Sequence, residues 1–296
     1  MLSKFLDPKN DFAFKKIFGA EKNKDILIHF LNDMLVFKEK APIKEVSFLK
    51  TVQDPETAAK KTSIVDILCE DTEGNRYIVE MQVAKEKGFE KRAQYYAAKA
   101  YVSQMQVNGK YHDLKEVIFL AITSFTMFPN KPAFKSDHVI FDRDNHHHDL
   151  QDFSFTFLEL EKFNKTIPEL SNIVDKWTYF FKHADETSEE ELAQLIGSDT
   201  IIEKAYNELN SLKWNEAERF TYEQEQKYEW DHQAIMEQKY DEGMEKGKKE
   251  GIEEGKKQGI EEGAMQAKLA IAKEMVVGGV DKKTISQFTG LSEDCF

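Results

Sequence analysis

The sequence predicts an α/β domain followed by an all-helical region, and three observations carry that prediction. Helix-like and strand-like runs alternate over residues 1–165. The run KEVIFLAITSF, residues 115–125, is apolar through its middle, as a strand covered on both faces must be. From about Pro168 onward every segment carries a helical pattern.

Taken in order, Asn10 or Asp11 caps a short helix bearing Phe12, Phe14, Ile17 and Phe18, which Gly19 ends. A second helix, NKDILIHFLNDML, follows with Asn23 as its cap. Three strand-like runs come next, at residues 43–50, 61–71 and 76–84. The last two flank TEGN, whose Gly74 and Asn75 suit a turn, so they form a hairpin. Residues 88–109 read as a helix stopped at Gly109, and the buried strand then leads through MFPNKPAF to strands at 138–141 and 153–162. The helical part divides near residue 238. Before it lie amphipathic helices with Trp177, Tyr179, Phe180, Trp214 and Trp230; after it glycine recurs at 243, 247, 251, 255, 259 and 263. The end, residues 275–296, reads as a helix pair with Asp281 as a cap. The expected organisation is a domain at 1–165, a helical region at 166–238 and a Gly-periodic charged tail with the terminal helix pair at 239–296.

The net charge of −13 argues against nucleic acid only when taken as a total. Residues 1–112 are net +3 and residues 1–170 net −1, whereas residues 171–296 are net −12. The front half therefore remains open to a polyanion, and DNA is expected to touch that half. Cys69 and Cys295 cannot build a disulfide framework, the start MLSKFLDPKNDF lacks the apolar stretch of a signal peptide, and no apolar run is long enough for a bilayer. A cytoplasmic protein without a membrane partner is expected. Neither a phosphate-binding glycine loop nor a Gly-x-Ser-x-Gly elbow nor a zinc-type Cys/His spacing is present. His146, His147 and His148 are consecutive between polar neighbours and read as a surface loop.

Chemistry concentrates on the central hairpin, Ile64-Val65-Asp66-Ile67-Leu68 and Tyr77-Ile78-Val79-Glu80-Met81-Gln82. An ionisable side chain in an apolar strand is costly unless paired or bound to metal. Asp66 and Glu80 are symmetric about residue 73, next to the turn, so they fall opposite each other; Glu80 and Gln82 leave the same face. Two adjacent carboxylates repel unless a cation neutralises them, and hard oxygen donors suit Mg²⁺ or Mn²⁺. On an edge hairpin with one wet face the same three residues would be ordinary solvent-facing groups.

The chain resembles the PD-(D/E)XK nuclease superfamily, and within it the recombination-promoting nuclease (Rpn) or transposase-like family. The stretches that carry the resemblance are DPKNDFAFKKIFG, KKTSIVDILCEDTEGNRYIVEMQ, KRAQYYAAKAYVSQMQVNGKYHDLKEVIFLAI and FTFLELEKF, with the Gly-periodic tail matching more loosely. The resemblance implies a restriction-endonuclease-like core, a mixed central sheet flanked by helices, ahead of the helical region. It implies that Asp66 and Glu80 are the metal ligands, and that Asp66, Glu80 and Gln82 are the catalytic set, with Gln82 where many members carry Lys. Val65 stands where a Pro often precedes the first Asp. Gln cannot carry charge, so it would orient a water while another cation stabilises the phosphorane. Arg92, Tyr96 and Lys99 share one helix face by spacing, and Arg92 and Tyr96 match the family's Arg-x3-Tyr. A solvated helix face is the plain alternative. Lys61 is a phosphate-contact candidate and Asp11 a supporting one, with a surface lysine and a helix cap as their alternatives.

The expected activity is Mg²⁺- or Mn²⁺-dependent DNA endonuclease hydrolysis linked to recombination or mobile elements, with Asp66 and Glu80, aided by the Met81 carbonyl, holding the ion. The alternative is a non-catalytic DNA- or partner-binding protein with a nuclease-like core, phage defence being one family-level role. The expected partners are DNA and a second copy of the chain through the C-terminal helices. A mobile charged arm is the other reading of the glycine-periodic segment, whose six glycines cost about 1 kcal/mol each relative to Ala in a helix.

Overall fold

The computed structural model describes residues 4–36, 41–53, 63–197 and 199–296. Two compact units divide the chain, Met1–Glu229 and Trp230–Phe296. The first is built on a six-stranded mixed sheet of order β1-β4-β5-β6-β8-β7, comprising β1 (Val46–Phe48), β4 (Ile67–Asp71), β5 (Arg76–Gln82), β6 (Val117–Thr123), β7 (Lys135–Val139) and β8 (Phe153–Glu159). β5, β6 and β8 run parallel at its centre; β1–β4, β4–β5 and β7–β8 pair antiparallel. All seven residues of β6 are buried, which is why its sequence lacks the alternation of a half-wet strand. The α/β core with a mixed sheet therefore stands as the sequence predicts. The expected strand at 61–71 is broken: a short ribbon pairs β2 (Val52–Gln53) with β3 (Ser63–Ile64), and β4 starts only after a bend at Asp66.

Two helix layers cover the sheet. On one face, α3 (Phe89–Val102) packs Ala93, Ala97 and Ala100 against Leu68, Ile78, Phe119 and Phe157. The small side chains at this i, i+4, i+7 spacing let the helix backbone approach the strands closely. On the other face lie α1 (Asp11–Phe18), α2 (Lys24–Met34), α4 (Ile173–His183), α5 (Glu189–Ile196) and α6 (Thr200–Glu208), sharing one core with Ile67, Tyr77, Val79, Leu120 and Leu158. Asn10, rather than Asp11, caps α1, its side chain accepting from the amides of Phe12 and Ala13 at 3.1 and 3.2 Å. Asn23 sits at the start of α2 without capping it; its side-chain amide donates back to the Lys16 carbonyl at 3.0 Å.

An aromatic cluster locks the later helices to the early ones. Phe18 lies against Phe14, Phe30, Trp177, Phe180 and Phe181 with ring centroids 5.1–6.4 Å apart. A cut after residue 165 would therefore take from Phe14, Phe18 and Phe30 the rings of Trp177, Phe180 and Phe181 they pack against, and the compact unit runs on to Glu229.

The second unit contains most of α7 (Glu216–Val277) and all of α8 (Lys282–Thr289). The glycines at 243–263 are helical, and a Cβ at any of them would meet nothing within 4 Å. Lys249 pairs with Glu245 at 2.6 Å, its i, i+4 partner toward the helix start. Asp281 caps α8 through the Thr284 amide at 3.0 Å, and Ala272, Ile285 and Leu291 form a small core with Leu269, Met275, Val280 and Phe296. Among the described residues no helix is long and apolar enough to cross a membrane.

Phe18→Ala should destabilise the first unit by about 3–5 kcal/mol, the range for emptying a buried aromatic site. Urea unfolding followed through Trp177 fluorescence measures this, and a loss below about 1 kcal/mol would show that the cluster is not what joins these helices.

Candidate functional site

The site forms where the β4–β5 hairpin comes apart. The ladder runs from Glu70 opposite Arg76 to Ile67 opposite Val79, and one further step sets Asp66 opposite Glu80, the facing that the spacing about residue 73 predicts. Regular pairing stops there, because the chain bends at Asp66 and the Val65 amide turns away to the Thr51 carbonyl at 3.2 Å. Carboxylates replace the missing carbonyls. Glu80 Oε1 accepts from the Asp66 amide at 3.1 Å, and Asp66 Oδ2 accepts from the Met81 amide at 2.9 Å. Each acid thus caps the strand that carries the other. In a strand, one residue's N–H and C=O point to the same edge, so the Met81 carbonyl faces the same gap.

Burial makes this pair electrostatically unsatisfied. Glu80 is only 4% exposed. Desolvation pushes the Asp66 carboxyl up to about 6, the Asp11 charge adds to it, and the Met81 amide, Lys15 and Arg92 oppose it. Desolvation and then the Asp66 charge push Glu80 well above the usual carboxylate range. Among the described residues, the second oxygen of each acid, Asp66 Oδ1 and Glu80 Oε2, accepts no hydrogen bond.

Two helices reach the gap from opposite faces of the sheet. From α3, the Arg92 guanidinium donates to Gln82 Oε1 and Glu86, and stacks over Phe89 and Tyr96 at 4.8 and 5.9 Å. Its Nε is buried with no hydrogen-bond partner among the described residues. Tyr96 is half-buried, and its hydroxyl is pushed above its ordinary range by burial, with the charges of Glu80, Glu86 and Asp66 adding and that of Arg92 opposing. From α1, Lys15 Nζ donates to Asp11 Oδ2 at 2.8 Å, lies 2.7 Å from Asp11 Oδ1 and is 3.9 Å from Asp66 Oδ1.

The structure therefore brings together Asp66, Glu80, Gln82, Arg92, Tyr96 and, through Lys15, Asp11. Lys99 lies instead over the Tyr95 ring at 5.8 Å, and Lys61 lies outside the described residues. Both ends of the Gln82 amide are engaged, since Nε2 donates to the Ala84 carbonyl at 2.9 Å while Oε1 faces Arg92. Sequence reasoning missed Lys15. The signal was there, as Asp11 and Lys15 stand i, i+4 on a helix whose other face is wholly apolar.

The donors fit a hard divalent cation: two carboxylates with one uncommitted oxygen each, a backbone carbonyl on the same gap, and negative charge that burial leaves uncompensated. Among the described residues no cluster of three Asp, Glu, His or Cys joins there, so water or substrate oxygens would have to complete the shell.

The model of the PD-(D/E)XK nuclease family transposase matches residues 8–239. The chain belongs to that family. A second model, the C-terminal helix–turn–helix domain of the Rpn/YhgA-like nuclease family, matches residues 265–296, the segment read from its residues only as a helix pair. No curated protein and no solved structure matches the chain. PD-(D/E)XK nucleases as a class use divalent metals, and helix–turn–helix domains are a DNA-binding fold.

The raised acids make a pH prediction. A carboxyl whose folded pKa exceeds its unfolded value favours the folded state when protonated, and that contribution is lost as pH rises through the folded value. For metal-free protein, the thermal midpoint should therefore fall between about pH 4 and about pH 6, and Asp66→Asn should flatten the fall. An unchanged slope in the variant would contradict the assigned electrostatics.

Proposed function

We propose that the protein is a divalent-metal-dependent DNA endonuclease. The observation that carries this reading is the buried, mutually capped Asp66–Glu80 pair in a chain of a nuclease family. Asp66 and Glu80 would hold the ion, Mg²⁺ or Mn²⁺, with the Met81 carbonyl as a further oxygen donor. Once bound, the ion would supply Lewis acidity, making water a better nucleophile and offsetting charge on the scissile phosphate. Arg92, its terminal nitrogens held by Gln82 and Glu86 and its Nε buried, contributes its positive charge to the gap rather than a free donor. Gln82, tied at both ends, steadies the Arg92 guanidinium, a role different from orienting water that its hydrogen bonds support better. Tyr96 stacks under the same guanidinium and keeps it over the gap.

The helix–turn–helix match supports a second DNA contact, within the acidic half. Lys282 and Lys283 open α8 and are exposed, which suits phosphate positioning rather than base readout. Assembly of copies through the C-terminal helices and a role in recombination or mobile elements belong to the same proposal. A non-catalytic DNA-binding protein is the second reading, favoured by the uncharged Gln82.

Nicking of supercoiled plasmid with Mg²⁺ or Mn²⁺ tests the proposal. Asp66→Ala and Glu80→Ala should each lower the rate by at least about a hundredfold, and chelation should abolish it. Equal residual nicking in both variants would point to a contaminant, and metal-independent binding without nicking would favour the second reading. Lys282→Ala with Lys283→Ala should weaken DNA binding about tenfold and reduce its salt dependence. Unchanged affinity would remove α8 from the DNA contact.

A further inference from the structure

We infer that Lys15 of α1 supplies the phosphate-facing ammonium that position 82 of β5 lacks, and so acts as a catalytic residue of the site. The inference rests on the nuclease reading above. Position 82 carries an amide that cannot be charged, and both of its ends are already bonded. Arg92 has its two terminal nitrogens committed to Gln82 and Glu86. Lys15 is differently placed. Its Nζ is 3.9 Å from Asp66 Oδ1, close enough to share a ligand with that carboxylate but too far to be spent on it. Its side chain is 41% exposed, against 25% for Arg92, so an incoming phosphate can reach it.

The helix is built to aim this one lysine. Ala13, Phe14, Ile17 and Phe18 are buried and fix the rotation of α1, and the Asn10 cap fixes its start. The neighbouring Lys16 turns to Glu218 and lies over the Trp214 ring at 4.7 Å. Asp11, one turn before Lys15, accepts a hydrogen bond from the ammonium on Oδ2 at 2.8 Å and keeps Oδ1 2.7 Å away, so it fixes the ammonium from one side. An ammonium carries three donors, which leaves donor capacity for a phosphate oxygen. Asp11 is thus a positioning residue, and its effect passes through Lys15.

In the hydrolysis the water oxygen bonds to phosphorus, the bond from phosphorus to the leaving sugar oxygen breaks, and that oxygen gains a proton, so that one water is consumed. Lys15 keeps its proton throughout. It donates a hydrogen bond to a non-bridging oxygen whose negative charge grows in the transition state, which is where a fixed cation lowers the barrier.

Plasmid nicking and Mn²⁺ calorimetry on the full chain test this, with Lys15→Ala, Lys15→Arg and Asp66→Ala. Lys15→Ala should bind Mn²⁺ at least as tightly as wild type, because a competing cation beside Asp66 is gone, yet nick about a hundredfold or more slowly. Lys15→Arg should recover to within about tenfold of wild type. Lys15→Ala nicking within about threefold of wild type, while Asp66→Ala is inactive, would overturn the inference and leave the nuclease reading intact. Loss of Mn²⁺ binding together with nicking in Lys15→Ala would also overturn it, since Lys15 would then be only structural. Wild-type protein that never nicks would overturn the nuclease reading and this inference with it.

Discussion

The reciprocal bonds between two carboxylates and two backbone amides are the constraint around which the site is arranged. Once the β4–β5 ladder stops at Ile67, the amides of Asp66 and Met81 need acceptors, and the side chains of Glu80 and Asp66 provide them. The strands can then separate without leaving orphaned donors. The same bonds hold two acids in a buried gap where their charges repel. The protein keeps that arrangement by placing cations near it from two directions, Lys15 from α1 and Arg92 from α3, and neither of them sits directly on the acids. A structural ion pair would be closed by direct contact. Here the remaining charge is left for something else to neutralise, which is the electrostatic condition of a metal site.

The scaffold explains how both cations arrive. The sheet is sandwiched, with α3 on one face and the N-terminal and later helices on the other. The open end of the hairpin is the point at which side chains from both layers meet, and the closely packed alanines of α3 and the aromatic cluster around Phe18 set how near each layer comes. Packing far from the acids, such as Trp177 on Phe18, therefore bears on the position of Lys15.

Much of this was legible in the sequence. The apolar β6, the hairpin turn and the symmetric placement of Asp66 and Glu80 are period-two and turn signals, which are local. The facing of these two acids followed from counting alone. What counting missed was long-range. Nothing near residue 66 reveals that the strand bends there, since that bend depends on Val65 pairing with Thr51. Lys15 lies 51 positions before Asp66, on a helix whose lysines look equivalent until the core fixes its rotation. The helices after residue 165 read as a separate region, because their burial against α1 and α2 is a contact between distant segments. The terminal helices carried no motif that identified them, and only the family match gives them as a helix–turn–helix domain. The near-neutral front half and the acidic back half thus each hold an element suited to DNA, so the overall charge of −13 describes neither.

Crystals soaked in Mn²⁺ and measured for anomalous scattering would test the central claim most directly. The account predicts a single strong peak in the gap between Asp66 and Glu80, bounded by the Met81 carbonyl and lost in Asp66→Asn. A gap that stays without a peak while Lys15 closes onto Asp66 would contradict it, and would make the pair a buried structural bond rather than a metal site.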